Sequence, residues 1–126
     1  MKLLLDSHIL LWWSAGDPRL SARAEKLLIG AENELFVSAA SWWELAIKRV
    51  LGRLRLDMAL EKRILEQKGV QFIPVTLDHP QAAGALPALH GDPFDHMLVA
   101  QAGFENCSLV THDRKLKRYG PPVLYV

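Results

Sequence analysis

The chain has one cysteine, seven prolines, eight glycines and almost no net charge, and each scarcity closes off a class of protein. Cys107 stands alone and cannot staple the fold internally, so a packed core has to hold it. Sparse proline and glycine, beside 50% hydrophobic and 23% charged residues, exclude fibrous and disordered chains. Fifteen Lys and Arg against 14 Asp and Glu leave a formal charge of +1. That excludes a polycation coating nucleic acid through bulk charge, and any nucleic-acid contact has to be local. Long apolar runs are missing too: the first, Leu3 to Leu5, stops at Asp6, too short for a signal peptide or a membrane span. The expectation is a soluble cytoplasmic protein with no membrane contact. With no repeat, low-complexity segment or linker, residues 1–126 read as a single domain.

What is present alternates between two periodicities. Lys2 to Asp6 reads as a buried strand, followed by a short apolar helix from about His8 to Trp13 and a turn at Gly16-Asp17-Pro18. Ser21 begins an amphipathic helix with Ala24, Leu27 and Leu28 on one face, and Leu35 to Ser38 is the second strand. A third helix is expected from Ser41, through Leu45, Ile47, Val50 and Leu51, to Gly52. Asp57 starts a further helix, Gln71 to Val75 is a third strand kept near an edge by Pro74, and a weaker helix covers Gln81 to Leu86. Asp92-Pro93 opens the clearest helix, before strands at Ser108 to Thr111 and Val123 to Val126. Short strands separated by helices predict an α/β fold with a parallel sheet of about five strands flanked by helices, Rossmann-like in its three layers.

In such a sheet ligands sit outside the carboxyl ends of the strands, near the point where strand order reverses. Asp6 follows strand 1, Glu44 lies in the first turn after strand 2, Asp95 opens the long helix leading to strand 4, and Asp113 follows strand 4. Four carboxylates converging there would suit a hard divalent cation, Mg²⁺ or Mn²⁺, which lowers the pKa of bound water and neutralises phosphodiester charge. Capping is the competing account. Asp6, Asp92 and Asp113 are placed to be helix N-caps, Ser41-Trp-Trp-Glu44 fits a capping box, and Asp95 is the third residue of a Pro93-initiated helix. Asp6 and Asp113 would face each other if strands 1 and 4 are neighbours, whereas Asp92 is assigned to capping.

The residues Leu-Leu-Leu-Asp6-Ser-His-Ile-Leu-Leu-Trp12, Ser38-Ala-Ala-Ser-Trp-Trp-Glu44-Leu-Ala-Ile-Lys48, His90-Gly-Asp-Pro-Phe-Asp95, Met97-Leu-Val-Ala-Gln-Ala102 and Val110-Thr-His-Asp113 form a recognisable series. Taken together, from Leu3 to Tyr119, they resemble a PIN-domain ribonuclease of the VapC toxin type. The resemblance implies a Rossmann-like parallel sheet and a Mg²⁺ or Mn²⁺ site from acids matching Asp6, Glu44, Asp95 and Asp113, with Thr111 as a supporting hydroxyl. It also implies metal-dependent cleavage of RNA, homodimerisation, and neutralisation by a cognate antitoxin protein. One position departs: His96 stands where this subgroup commonly carries Arg.

Eight of the fifteen cations fall in two short segments, Lys48 to Arg55 and Arg114 to Arg118, each following site acids. Lys48, Arg114 and Lys115 are candidate RNA contacts, with solvated helix faces as the plain alternative. The pairs Trp12-Trp13 and Trp42-Trp43 cannot both face one core, so one of each is expected to be partly exposed. No Cys or His pair has structural-zinc spacing. The reading is therefore a metal-dependent endoribonuclease. An inactive PIN-fold RNA-binding or interaction module and a receiver-type signalling domain phosphorylated on Asp57 are its rivals.

Overall fold

Leu3, Leu4 and Leu5 have no exposed surface, as a strand covered on both faces requires. They lie in β1 (Lys2–Leu5), the middle strand of a five-stranded sheet. In this computed structural model, which describes residues 1–89 and 91–126, the chain continues through α1 (Ser7–Ala15), α2 (Ala22–Ile29), β2 (Glu34–Ser38) and α3 (Ala39–Val50). There follow α4 (Met58–Gln67), β3 (Val70–Ile73), α5 (Asp78–Ala85), α6 (Pro93–Phe104), β4 (Ser108–Thr111), a 3₁₀ helix (Arg114–Tyr119) and β5 (Val123–Tyr125). His90, which opens the His90 to Asp95 block, lies outside the described residues.

The strand order is β3-β2-β1-β4-β5, and every pairing is parallel. Leu4 is opposite Phe36 of β2 and Leu109 of β4. Because side chains alternate across a strand, Leu3 and Leu5 enter one layer and Leu4 the other. The first layer joins them to Ile9, Leu10, Ala24, Leu28, Leu45 and Leu65 of α1 to α4. Leu4 packs with Leu98, Val99 and Ala102 of α6 and Leu116 of the 3₁₀ helix. Order reverses between β1 and β4, so the carboxyl ends of those two strands flank the switch point. A receiver domain has a different order, with β1 between β2 and β3. Here Asp57 caps α4, accepting from the Leu60 amide at 3.1 Å, and ends no strand.

Local chemistry explains where the elements begin. Asp6, Ser21, Ser38, Asp57, Asp92 and Asp113 each cap the helix that follows with a side-chain oxygen, satisfying an amide the helix leaves without a partner. Helix α1 ends at Gly16, whose φ of 64° is the left-handed conformation glycine adopts freely.

Three expectations need correction. The third helix begins at Ala39, two residues before Ser41, because Ser38 is at once the last residue of β2 and the cap of α3, its Oγ accepting from the Ala40 amide at 3.0 Å. Ser41 is thus buried inside the helix rather than capping it, and Glu44 lies in its second turn. Val50 and Leu51, expected among the apolar residues of this helix, are 86% and 58% exposed, while Ala40, Ser41, Glu44 and Leu45 face inward. Helix α5 begins at Asp78 rather than Gln81, because Pro80 falls in its first turn, where a missing N–H costs nothing. Strand β3 stops at Ile73, before Pro74, and lies at the sheet edge as expected.

Leu4 is the only β1 leucine in the α6 layer, so Leu4→Ala should lower unfolding free energy by about 2–5 kcal/mol in urea denaturation.

Candidate active site

Asp6 is buried just past β1, and both of its oxygens are engaged. Oδ1 accepts from the His8 amide at 2.7 Å, and Oδ2 accepts from the Thr111 hydroxyl at 2.6 Å. Thr111 is the last residue of β4 and fully buried; its Oγ1 in turn accepts from the Asp113 amide at 3.1 Å. One hydroxyl therefore ties Asp6 to the backbone of Asp113 across the β1–β4 junction. Asp113 caps the 3₁₀ helix through the Lys115 amide at 2.9 Å. Asp6 and Asp113, with His8, Trp12 and His112, line a cavity of about 280 Å³.

Glu44 arrives from the second turn of α3. The Ser7 hydroxyl donates to its Oε1 at 2.8 Å, and Lys48, one turn on, approaches Oε2 at 3.5 Å. Ser7 was not foreseen, since a serine beside a capping Asp has no signature of its own. Asp95 is the third residue of α6, and its amide donates to Asp92 Oδ1 at 3.2 Å. Its carboxyl is pushed up to about 7. Burial is the largest cause, followed by the charges of Asp92, Asp6, Glu44 and Asp113. That response places all four expected acids in one electrostatic neighbourhood and adds Asp92, a residue the sequence assigned to capping alone.

The donor set is oxygen throughout, the chemistry of a hard divalent ion and not of zinc. Among the described residues, no group of three or more His, Cys, Asp or Glu side chains is arranged to hold an ion directly. The residues fit an ion such as Mg²⁺, which takes one or two carboxylates and keeps water for the rest of its shell.

The basic candidates separate. Lys48 is engaged with Glu44, whereas Arg114 and Lys115 are exposed. His96 is occupied on both ring nitrogens, with the Ala83 carbonyl at 2.6 Å and the Tyr119 hydroxyl at 3.0 Å. It ties α6 to α5 and to the 3₁₀ helix. Trp13 is buried and Trp43 is 62% exposed, its ring edge-on to Phe94 at 5.3 Å between centroids.

The profile of the PIN domain matches residues 3–121. The chain belongs to the PIN-domain family. A relative from Mycobacterium tuberculosis, Ribonuclease VapC22, is 36% identical over 122 residues, which span 95% of this chain and 93% of the relative. Among solved structures, VapBC2 from Rickettsia felis bound to a DNA fragment from its promoter contains a chain superposing with a TM-score of 0.71. It is 19% identical and covers 100% of this chain and 98% of its own. DNA-bound VapBC from Salmonella typhimurium gives 0.68 at 17% identity, covering 100% and 97%. At those identities the two structures speak to the fold alone. No helix among the described residues of this PIN domain is long and apolar enough to cross a membrane.

The raised Asp95 carboxyl has a direct consequence for stability. Without metal, the folded chain keeps a proton that the unfolded chain, at the ordinary 3.8, has already lost. Stability should be greatest below that value and fall as pH rises through about 7. Melting temperatures in EDTA between pH 4 and pH 8 should show the decline, and Asp95→Asn should flatten it.

Proposed function

We propose that this PIN-domain chain is a Mg²⁺- or Mn²⁺-dependent endoribonuclease, the toxin of a toxin–antitoxin pair, working as a homodimer and neutralised by a cognate antitoxin protein. The observation that carries the reading is the gathering of Asp6, Glu44, Asp92 and Asp113 around Asp95, a carboxyl that burial first and these charges second push up to about 7. Capping accounts for Asp6, Asp92 and Asp113 but not for Glu44 and Asp95, which cap no helix. The likeness to Ribonuclease VapC22 along nearly the whole chain supports the choice of RNA and of hydrolysis.

Asp6 and Asp113 are assigned the direct hold on the ion, because they share one cavity and are linked through Thr111. When bound, the divalent ion supplies a water of lowered pKa and neutralises charge on the phosphodiester. Glu44 and Asp95 are assigned the orientation of that water. Glu44 is suited to it because Ser7 and Lys48 fix both of its oxygens, so the carboxylate cannot swing. Thr111 positions Asp6 rather than touching substrate. Lys48, Arg114 and Lys115 offer cationic contacts for the RNA backbone, which positions a strand without reading its sequence.

Purified antitoxin-free protein should cleave RNA with Mg²⁺ or Mn²⁺ and stop in EDTA, and Asp6→Asn or Asp113→Asn should each abolish cleavage. Full activity in EDTA, or in both variants, would overturn the metal mechanism. For the basic segment, Arg114→Glu with Lys115→Glu should weaken RNA binding and make the slope of log affinity against log salt shallower, by about 0.7 for each single-strand phosphate the variant fails to neutralise. An unchanged slope would return those residues to ordinary surface.

A further inference from the structure

The strand order puts cations on both flanks of the acidic site. Asp6 follows β1, the middle strand; α3 leaves β2 on one side of it, and the 3₁₀ helix leaves β4 on the other. Arg53 comes just after α3 and Arg118 lies on the 3₁₀ helix, so the two belong to opposite sides of Asp6. Adjoining cavities connect them. One of about 600 Å³, walled by α1, the 53–56 segment and α4, shares His8 and Trp12 with the cavity of Asp6 and Asp113. Another, of about 460 Å³, shares Lys48 and Arg53 with that one and reaches Glu44 and Asp92. A third, of about 450 Å³, continues from Gly91 and Asp92 to Lys115 and Arg118. Together with the acidic cavity they make one trough, cationic at both ends and acidic in the middle.

The end cations differ in how far they are committed. Arg19 is paired with Asp17 at 2.8 Å and Lys48 with Glu44 at 3.5 Å. Arg53 is exposed and has no hydrogen bond or ion pair with any described residue. Arg118 is exposed too, and one guanidinium nitrogen donates to the Leu89 carbonyl at 3.2 Å, which leaves the rest of its five N–H donors for a ligand. Glu61 also lines the largest cavity, but it is only 6% exposed and its Oε1 is shut off from solvent, so the cations set the charge of that rim. Beside them, Trp12, Leu54 and Leu56 give an apolar wall. A ligand that matches has negative charges alternating with flat apolar faces. Single-stranded RNA has that form, since its phosphates repeat along the backbone and its unstacked bases are free to lie on an aromatic surface. An acidic polypeptide supplies the charges without the flat faces.

We propose that the trough carries one RNA strand across the acidic site, with Arg53 holding a phosphate on one side of the scissile bond and Arg118 a phosphate on the other. The assignment rests on the nuclease reading for its substrate. Two bidentate-capable anchors, one on each side, fix the register of the strand over the carboxylates without reading its sequence. A chain end engages one anchor only, so the trough favours internal bonds.

The test has a binding arm and a mapping arm, both on the full chain carrying Asp113→Asn so that a short single-stranded RNA stays uncut. Arg53→Ala and Arg118→Ala should each weaken binding about fivefold, and the two losses should multiply in the double variant. Each should also make the slope of log affinity against log salt shallower by about 0.7. Arg63→Ala, which removes an exposed cation of α4 that lines none of these cavities, should do neither. For mapping, a photo-crosslinker is attached through Arg53→Cys or Arg118→Cys, Cys107 being buried. The two should label nucleotides on opposite sides of the bond that the chain with Asp113 intact cuts in the same RNA. Labels on one side of that bond, unchanged binding in both single variants, an equal loss in Arg63→Ala, or tighter binding of a polyglutamate of equal charge would overturn the trough. Cleavage with both labels on one side defeats the trough and leaves the nuclease standing. Separated labels in a fixed 5′-to-3′ order, without any metal-dependent cleavage, do the reverse.

Discussion

Carboxylates repel one another, and a chain that gathers five of them at one sheet edge has to restrain them by something other than mutual attraction. Here the restraint is largely backbone. Asp6, Asp92 and Asp113 each accept from an amide at the start of the following helical segment, where unpaired N–H groups favour a negative charge. Thr111 and Ser7 add hydroxyl donors to Asp6 and Glu44, and Lys48 adds a cation. Capping and clustering are therefore one arrangement. A parallel sheet sends every strand-to-helix junction to the same edge, so acids that cap there are brought together by the topology itself.

The restraint is unequal, and chemistry follows from the inequality. Asp6 and Glu44 are the most enclosed yet have explicit donors on both oxygens. Asp95 is buried where the charges of its neighbours converge, so burial first and the cluster second push its carboxyl up to about 7.

Much of this was legible in the sequence, and the failures have identifiable causes. The strands could be read because buried parallel strands are short apolar runs ended by capping residues, as at Leu5-Asp6 and Thr111-His-Asp113. The β1–β4 adjacency followed from the switch-point rule. The start of α3 was misplaced because Ser38-Ala-Ala-Ser41 offers two serines three residues apart, and local pattern cannot choose between them. The strand decides, since β2 ends where Ser38 must cap. Asp92 was read as a cap and does cap α6, a role that says nothing about the charges facing it. Glu61 carried no signal at all: within Glu-Lys-Arg-Ile-Leu-Glu it reads as one more solvated residue, and only tertiary packing buries it.

The seam between β2 and α3 contains no connecting residue, since strand and helix meet at Ser38 and Ala39. Most junctions in such folds have a loop that absorbs a change of length. This one has none, so the angular position of Glu44 is counted directly from the sheet. Adding one residue after Ser38 would rotate the helix by roughly 100° relative to the strand and carry Glu44 away from Ser7, while the β2 pairing stayed intact. Length variation among chains built on this plan should therefore collect in other connections, such as residues 51–57, and leave this seam fixed.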